Sequence, residues 1–114
     1  MTYPEMFRLR QNFDAPRCDD VYAEVRAQIA KLNPGNKIKS GQSVAVAAGS
    51  RGIANIDTIV KATVDATKDL GADPYVVPAM GSHGGGTAEG QAAVLDGYGI
   101  NEQTMGCPIR SSME

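Results

Sequence analysis

The chain has 114 residues, 42% of them apolar and 21% charged, with a formal net charge of −2. That is room for one compact domain with a modest core, and the composition is neither that of a disordered tail nor of a membrane protein. No run approaches the ~20 consecutive apolar residues a bilayer span needs, and with basic and acidic residues interspersed and few aromatics there is no electrostatic footprint for nucleic acid.

The N-terminus, MTYPEMFRLRQNFDAPR, lacks the apolar core of a signal peptide, so the expected location is cytoplasmic. Cys18 and Cys107 lie far apart without C-x-x-C spacing and are expected to be free thiols. Residues 6–13 alternate, with Phe7, Leu9 and Phe13 on one side and Arg8, Arg10 and Asn12 on the other, which predicts a half-buried edge strand. Asp19 or Asp20 can cap a helix running to about Leu32, with Val21, Val25, Ile29 and Leu32 in one stripe. Asn33-Pro-Gly-Asn36 ends it.

Ser43-Val-Ala-Val-Ala-Ala48 is uncharged and predicts a strand covered on both faces, as in parallel sheets. Gly49-Ser-Arg-Gly52 leads into a second helix, roughly 55–70, whose buried stripe is Ile56, Val60, Val64 and Thr67 with Ile59 beside it; Gly71 stops it. Pro74-Tyr-Val-Val-Pro-Ala79 predicts the next buried strand, and Met80-Gly-Ser-His-Gly-Gly-Gly86 the loop after it. Thr87 is a good N-cap for a third helix to about Asp96, ended by Gly97 and Gly99. In the tail, Cys107-Pro-Ile-Arg110 suggests one more strand. The expected fold class is therefore α/β, a Rossmann-like or flavodoxin-like layer with a mainly parallel sheet and flanking helices. A parallel strand near Glu114 would want a covering helix, so the single domain 1–114 is expected to be a truncated, N-terminal part of a longer protein.

Strand-to-helix loops of a parallel sheet share its carboxyl edge, where ligands of open α/β sheets bind. Arg51 and His83 should thus sit on one rim, each near a helix N-terminus that favours an anion. Arg51 offers a planar, permanently charged fork for carboxylate or phosphate, or it pairs with a surface carboxylate. Ser50 either donates to the ligand or caps the following helix. His83, the only histidine, lies among Gly81, Ser82, Gly84, Gly85 and Gly86, where an exposed imidazole can meet a ligand and exchange protons near neutral pH. The Gly-rich loop matches neither nucleotide fingerprint, although a phosphate- or nucleotide-binding module remains the alternative reading. Cys18, His83 and Cys107 lack the spacing of metal ligands, and no metal site is expected within the chain. A nucleophilic role for Cys107 lacks its His and orienting partner.

The segments Val-Ala-Val-Ala-Ala-Gly-Ser-Arg-Gly-Ile and Val-Pro-Ala-Met-Gly-Ser-His-Gly-Gly-Gly-Thr, with Gly-Tyr-Gly-Ile and Met-Gly-Cys-Pro-Ile-Arg-Ser-Ser-Met-Glu, resemble the N-terminal region of the nickel-dependent lactate racemase family. The resemblance covers residues 43–114. It implies an isomerase that racemises or epimerises a small 2-hydroxy acid by hydride transfer to a nickel pincer nucleotide, the cofactor being attached to a lysine outside this chain. It also implies that His83 is one of two proton-shuttling histidines and that Arg51 anchors the substrate carboxylate, with Ser50, Gly81 and Ser82 as further substrate-binding residues. The family's first loop opens with an Asp and carries two Arg residues; here Ala48 and Gly49 replace the Asp and one Arg, and Gly84 stands where a basic residue usually follows the histidine. The resemblance therefore leaves the hydroxy acid open, and the isolated chain is expected to be inactive. The non-enzymatic readings are an anion-binding module and an α/β scaffold in which Arg51 and His83 only decorate the surface.

Overall fold

A computed structural model describes residues 1–113 and shows a mixed α/β architecture: a small parallel sheet with flanking helices. Glu114 lies outside the described residues. Helix α1 spans Val21–Lys31, strand β1 Ser43–Ala48, helix α2 Ile56–Asp69, strand β2 Asp73–Pro78, helix α3 Ala88–Gly97 and the short helix α4 Glu102–Met105. No helix among the described residues is long and apolar enough to cross a membrane.

The local chemistry explains the boundaries. Asp20 caps α1, its carboxylate accepting from the Ala23 N–H at 2.9 Å, and Pro34 opens a single 3-10 turn after the helix stops. Helix α2 ends at Asp69 with Leu70 as its C-cap, and Gly71 follows at φ +75°, its missing Cβ 2.7 Å from Ser40 Oγ. The left-handed backbone favours glycine there, and the Gly71 carbonyl accepts from the Gly41 N–H at 2.8 Å. Thr87 caps α3 through the Gly90 N–H at 3.0 Å. Helix α4 was invisible to periodicity, since four residues make one turn; its signal is the reciprocal capping box of Asn101 and Thr104.

Strands β1 and β2 pair in parallel, in register from Ser43 opposite Asp73 to Ala48 opposite Pro78. On the far side of β2, the expected strand at 107–110 shrinks to one parallel bridge between Val76 and Ile109, made by the Val76 N–H to Pro108 O (2.9 Å) and the Arg110 N–H to Val76 O (2.8 Å). The order β1, β2, Ile109 runs one way. Right-handed crossovers in that order lay α2 and α3 on the same face. The core reflects it: Val46, Ala48 and Val76 pack with Val60 and Val64 of α2, Leu95 of α3, and Ile100 and Met105. Burying those eight side chains is the main stabilising term, at about 25 cal/mol per Å² of apolar surface.

Three expectations are corrected. The run Ser43–Ala48 is covered on one face only: Ala45 and Ala47 are exposed, because no crossover places a helix on their side. Residues 6–13 form no strand; residues 1–18 have no regular structure and Phe7, Leu9 and Phe13 are 80%, 84% and 75% exposed. Alternation makes a strand only where a neighbouring edge takes its hydrogen bonds, and residues 6–13 are paired with no edge among the described residues. Leu32, placed in the α1 stripe, is exposed: the helix ends at Lys31, and the chain beyond it packs through Pro34 and Ile38 instead. Helix α1 instead rests on α2, Tyr22 donating to Asp65 at 2.8 Å and Arg26 pairing with Asp69.

Candidate functional site

Both parallel strands end at the same edge, so the loop after β1 (49–55) and the loop after β2 (79–86) emerge side by side, tied by the Ala79 N–H donating to Ala48 O at 2.7 Å. Between them lies a cleft of about 460 Å³ lined by Ser50, Arg51, Ile53, Gly81, Ser82 and His83, with Gly49, Ala79 and Met80. All five residues singled out in the sequence thus border one space. Met80 is buried and roots the second loop in the core.

Across the cleft Ser50 Oγ is hydrogen-bonded to His83 Nδ1. This contact fixes the imidazole, which is half-buried rather than freely exposed. A hydroxyl can donate or accept, so Ser50 accommodates either neutral tautomer and also the imidazolium. Nδ1 is the only ring nitrogen of His83 bonded among the described residues. Ser50 does not cap the next helix; Asn55 occupies that position, in the left-handed region at φ 57° and without a side-chain cap bond.

Arg51 is exposed and enters neither ion pair among the described residues, which are Arg26–Asp69 and Lys61–Asp65 on α1 and α2. It is the one lining side chain with a fixed charge, and no lining residue is acidic. The two helix N-termini, however, do not line it. The lining stops at Ile53 and His83, because the turn 52–55 precedes α2 and the turn Gly84–Gly86 precedes α3. Attraction for an anion therefore rests on Arg51, without the helix dipoles expected from the sequence.

Two residues not singled out in the sequence hold the loops. Gln91 of α3 is 4% exposed and donates through Nε2 to Gly81 O at 2.6 Å. Tyr98, just past α3, donates its hydroxyl to Ser50 O at 2.9 Å. A buried amide one turn after a helix start, facing a Gly-rich loop, is a signal for such a brace, but it needs the helix register to be read. The same helix approaches the loop at Gly90, where a Cβ would lie 1.7 Å from Gly84 O; Gly84 itself has φ +65°, and a Cβ there would meet Gly90 C at 2.4 Å. The pair of glycines is a backbone-to-backbone contact that sets the height of His83 over the cleft.

Cys107 is buried in a separate hollow with Lys68 and Arg110, and burial pushes its thiol up against the opposing pull of Lys68. Cys18 is exposed, and both are free. Among the described residues no three His, Cys, Asp or Glu side chains gather as a metal site requires. No family model, curated protein or solved structure matches the chain.

Proposed function

We propose that the cleft binds a small 2-hydroxy acid and that the chain is the substrate-side part of a racemase or epimerase, built on a Rossmann-like domain of the lactate racemase kind. The observation that carries the reading is the Ser50–His83 bond set beside Arg51, a guanidinium with no acidic partner among the described residues. In this reading Arg51 takes the carboxylate through its planar fork, with the backbone of Gly81 and the hydroxyl of Ser82 at the cleft wall. His83 Nε2 accepts the substrate's hydroxyl proton while Nδ1–H donates to Ser50 Oγ, which steadies the imidazolium; the same proton returns when the hydroxyl is regenerated. A hydroxyl at Nδ1, which can both donate and accept, suits a reaction that runs in both directions.

The lining residues do not fit the nickel pincer cofactor. None is a lysine, and one imidazole is no ligand set. Transfer of the α-hydrogen is therefore no part of what these residues do; the lysine, the nickel ligands and the second histidine come, in this reading, from another part of the protein.

The test is to produce the complete protein with the enzymes that build the cofactor, and to measure nickel content and stereochemical inversion over a panel of 2-hydroxy acids. Stoichiometric nickel, with inversion that His83→Ala abolishes, supports the proposal and names the substrate. A protein that loads no nickel and inverts nothing replaces it with the anion-binding module.

A further inference from the structure

Each of α2 and α3 is preceded by a strand of the sheet, but α1 is not. Yet α1 is placed as a third unit of the same kind. Tyr22 meets Asp65 and Arg26 meets Asp69, so α1 runs parallel to α2, on the side of β1 away from β2. Where the strand of such a unit would lie, the structure has a vacant apolar groove of about 370 Å³ along the outer edge of β1, bordered by Ile29, Ile38, Val44, Val46, Ile59 and Thr63. The outer edge is also open in its backbone. The carbonyls of Gln42 and Ala48 turn towards β2, accepting from the Asp73 and Ala79 N–H groups, so by strand alternation Ala45 and Ala47 direct theirs outwards, where nothing among the described residues meets them.

We propose that this edge is the docking site of the chain's own residues 6–13, which add to β1 as a parallel strand and close the groove. The segment carries most of the required pattern: Phe7, Leu9 and Phe13, with Gln11 between the last two, on one side, and Arg8, Arg10 and Asn12 on the other. Most of the exposed large apolar side chains of the molecule (Met1, Tyr3, Met6, Phe7, Leu9 and Phe13) lie in this arm. Docking sends the apolar side under α1 and α2 and leaves the arginines over the open face of Ala45 and Ala47. The connection is also of the right length: residues 14–19 separate the segment from the Asp20 cap, within the usual span of a strand-to-helix loop. The crossover from 6–13 through α1 to β1 has the sense of the β1–α2–β2 unit. Docking also makes residues 14–19 a third loop on the rim, next to the loop of Arg51 and carrying Arg17.

Amide exchange of the intact chain, resolved by NMR and run alongside light scattering, tests this. In a monomer, the Ala45 and Ala47 amides are expected to exchange on the order of tenfold more slowly than in a Phe7→Asp/Leu9→Asp variant, with the β2 amides unchanged. Equal, fast exchange in both proteins overturns the proposal. So does protection that survives in the variant, which would mean that something else covers the edge, and so does protection confined to a dimer, which would mean that the arm exchanges between copies. None of these readouts involves substrate or activity, so each stands apart from the racemase reading.

Discussion

Replacing Gly90 by Ala sets two effects against each other, and the structure decides which wins. Helix propensity favours Ala by at most about 1 kcal/mol, the helix-interior value, since Gly90 lies in the first turn of α3. Against that, the new Cβ would lie 1.7 Å from Gly84 O and 2.7 Å from Gly84 C. The obstacle is a carbonyl, not the end of a flexible side chain, so either α3 or the loop must move by more than an ångström. Overpacking of this kind costs about 1–3 kcal/mol, and with rigid backbone on both sides the upper end applies; after the propensity gain the net loss is about 2 kcal/mol. In a chain of this size that lowers Tm by roughly 8 °C. The displaced segment also carries His83, so its bond to Ser50 should break. His83 is the only histidine, so its ring signals in a heteronuclear NMR spectrum are unambiguous. Thermal unfolding and that spectrum together check the reasoning. A Gly90→Ala protein as stable as the parent, with unmoved His83 resonances, would refute the idea that the glycine pair sets the loop.

Gln91→Leu keeps the volume but leaves Gly81 O without its 2.6 Å donor; urea denaturation should show a loss of about 1–3 kcal/mol, and Gln91→Glu, which also loses the donor, should show at least as much at neutral pH. For Asp65, burial raises the carboxyl pKa, but the hydrogen bonds from Lys61 and Tyr22 outweigh it and the net value is lowered. A carboxylate depressed in the folded state contributes its stability in full above its unfolded value of about 4 and loses it as pH falls through the folded value. Lys61→Met should therefore flatten the acid limb of a stability–pH curve below about pH 4 and leave its shape at higher pH unaltered. Ellman's reagent at mild alkaline pH should modify exposed Cys18 quickly and Cys107 only on unfolding, since burial raises the Cys107 thiol; equal rates would contradict the packing of the Cys107 segment.

Much of the local structure was readable in the residues. A cap at Asp19 or Asp20, the Thr87 cap, the bounds of β1, the Val60–Val64–Thr67 stripe of α2 and the stop at Gly71 follow from short-range rules of capping, periodicity and backbone freedom, and the structure settles the first cap on Asp20. The grouping of Arg51 with His83 was readable too, because parallel strands put successive loops on one edge whatever the rest of the fold. Other features were hidden because they depend on distant neighbours. The Ser50–His83 bond joins residues from two loops, and Gln91 serves the site only because α3 turns that face inwards.

The sequence by itself determined α1, β1, α2, β2 and α3 and the site's chemical inventory: one guanidinium, one imidazole and a serine on glycine-flanked turns. The tertiary structure decided the rest. It put both crossover helices on one face, leaving Ala45 and Ala47 uncovered despite an uncharged run that reads as buried. It also kept both helix N-termini out of the cleft, so the attraction for an anion falls to Arg51. The physical reason is common to both. Periodicity and capping are set within a few residues along the chain, whereas burial and field depend on which surfaces long-range packing brings together.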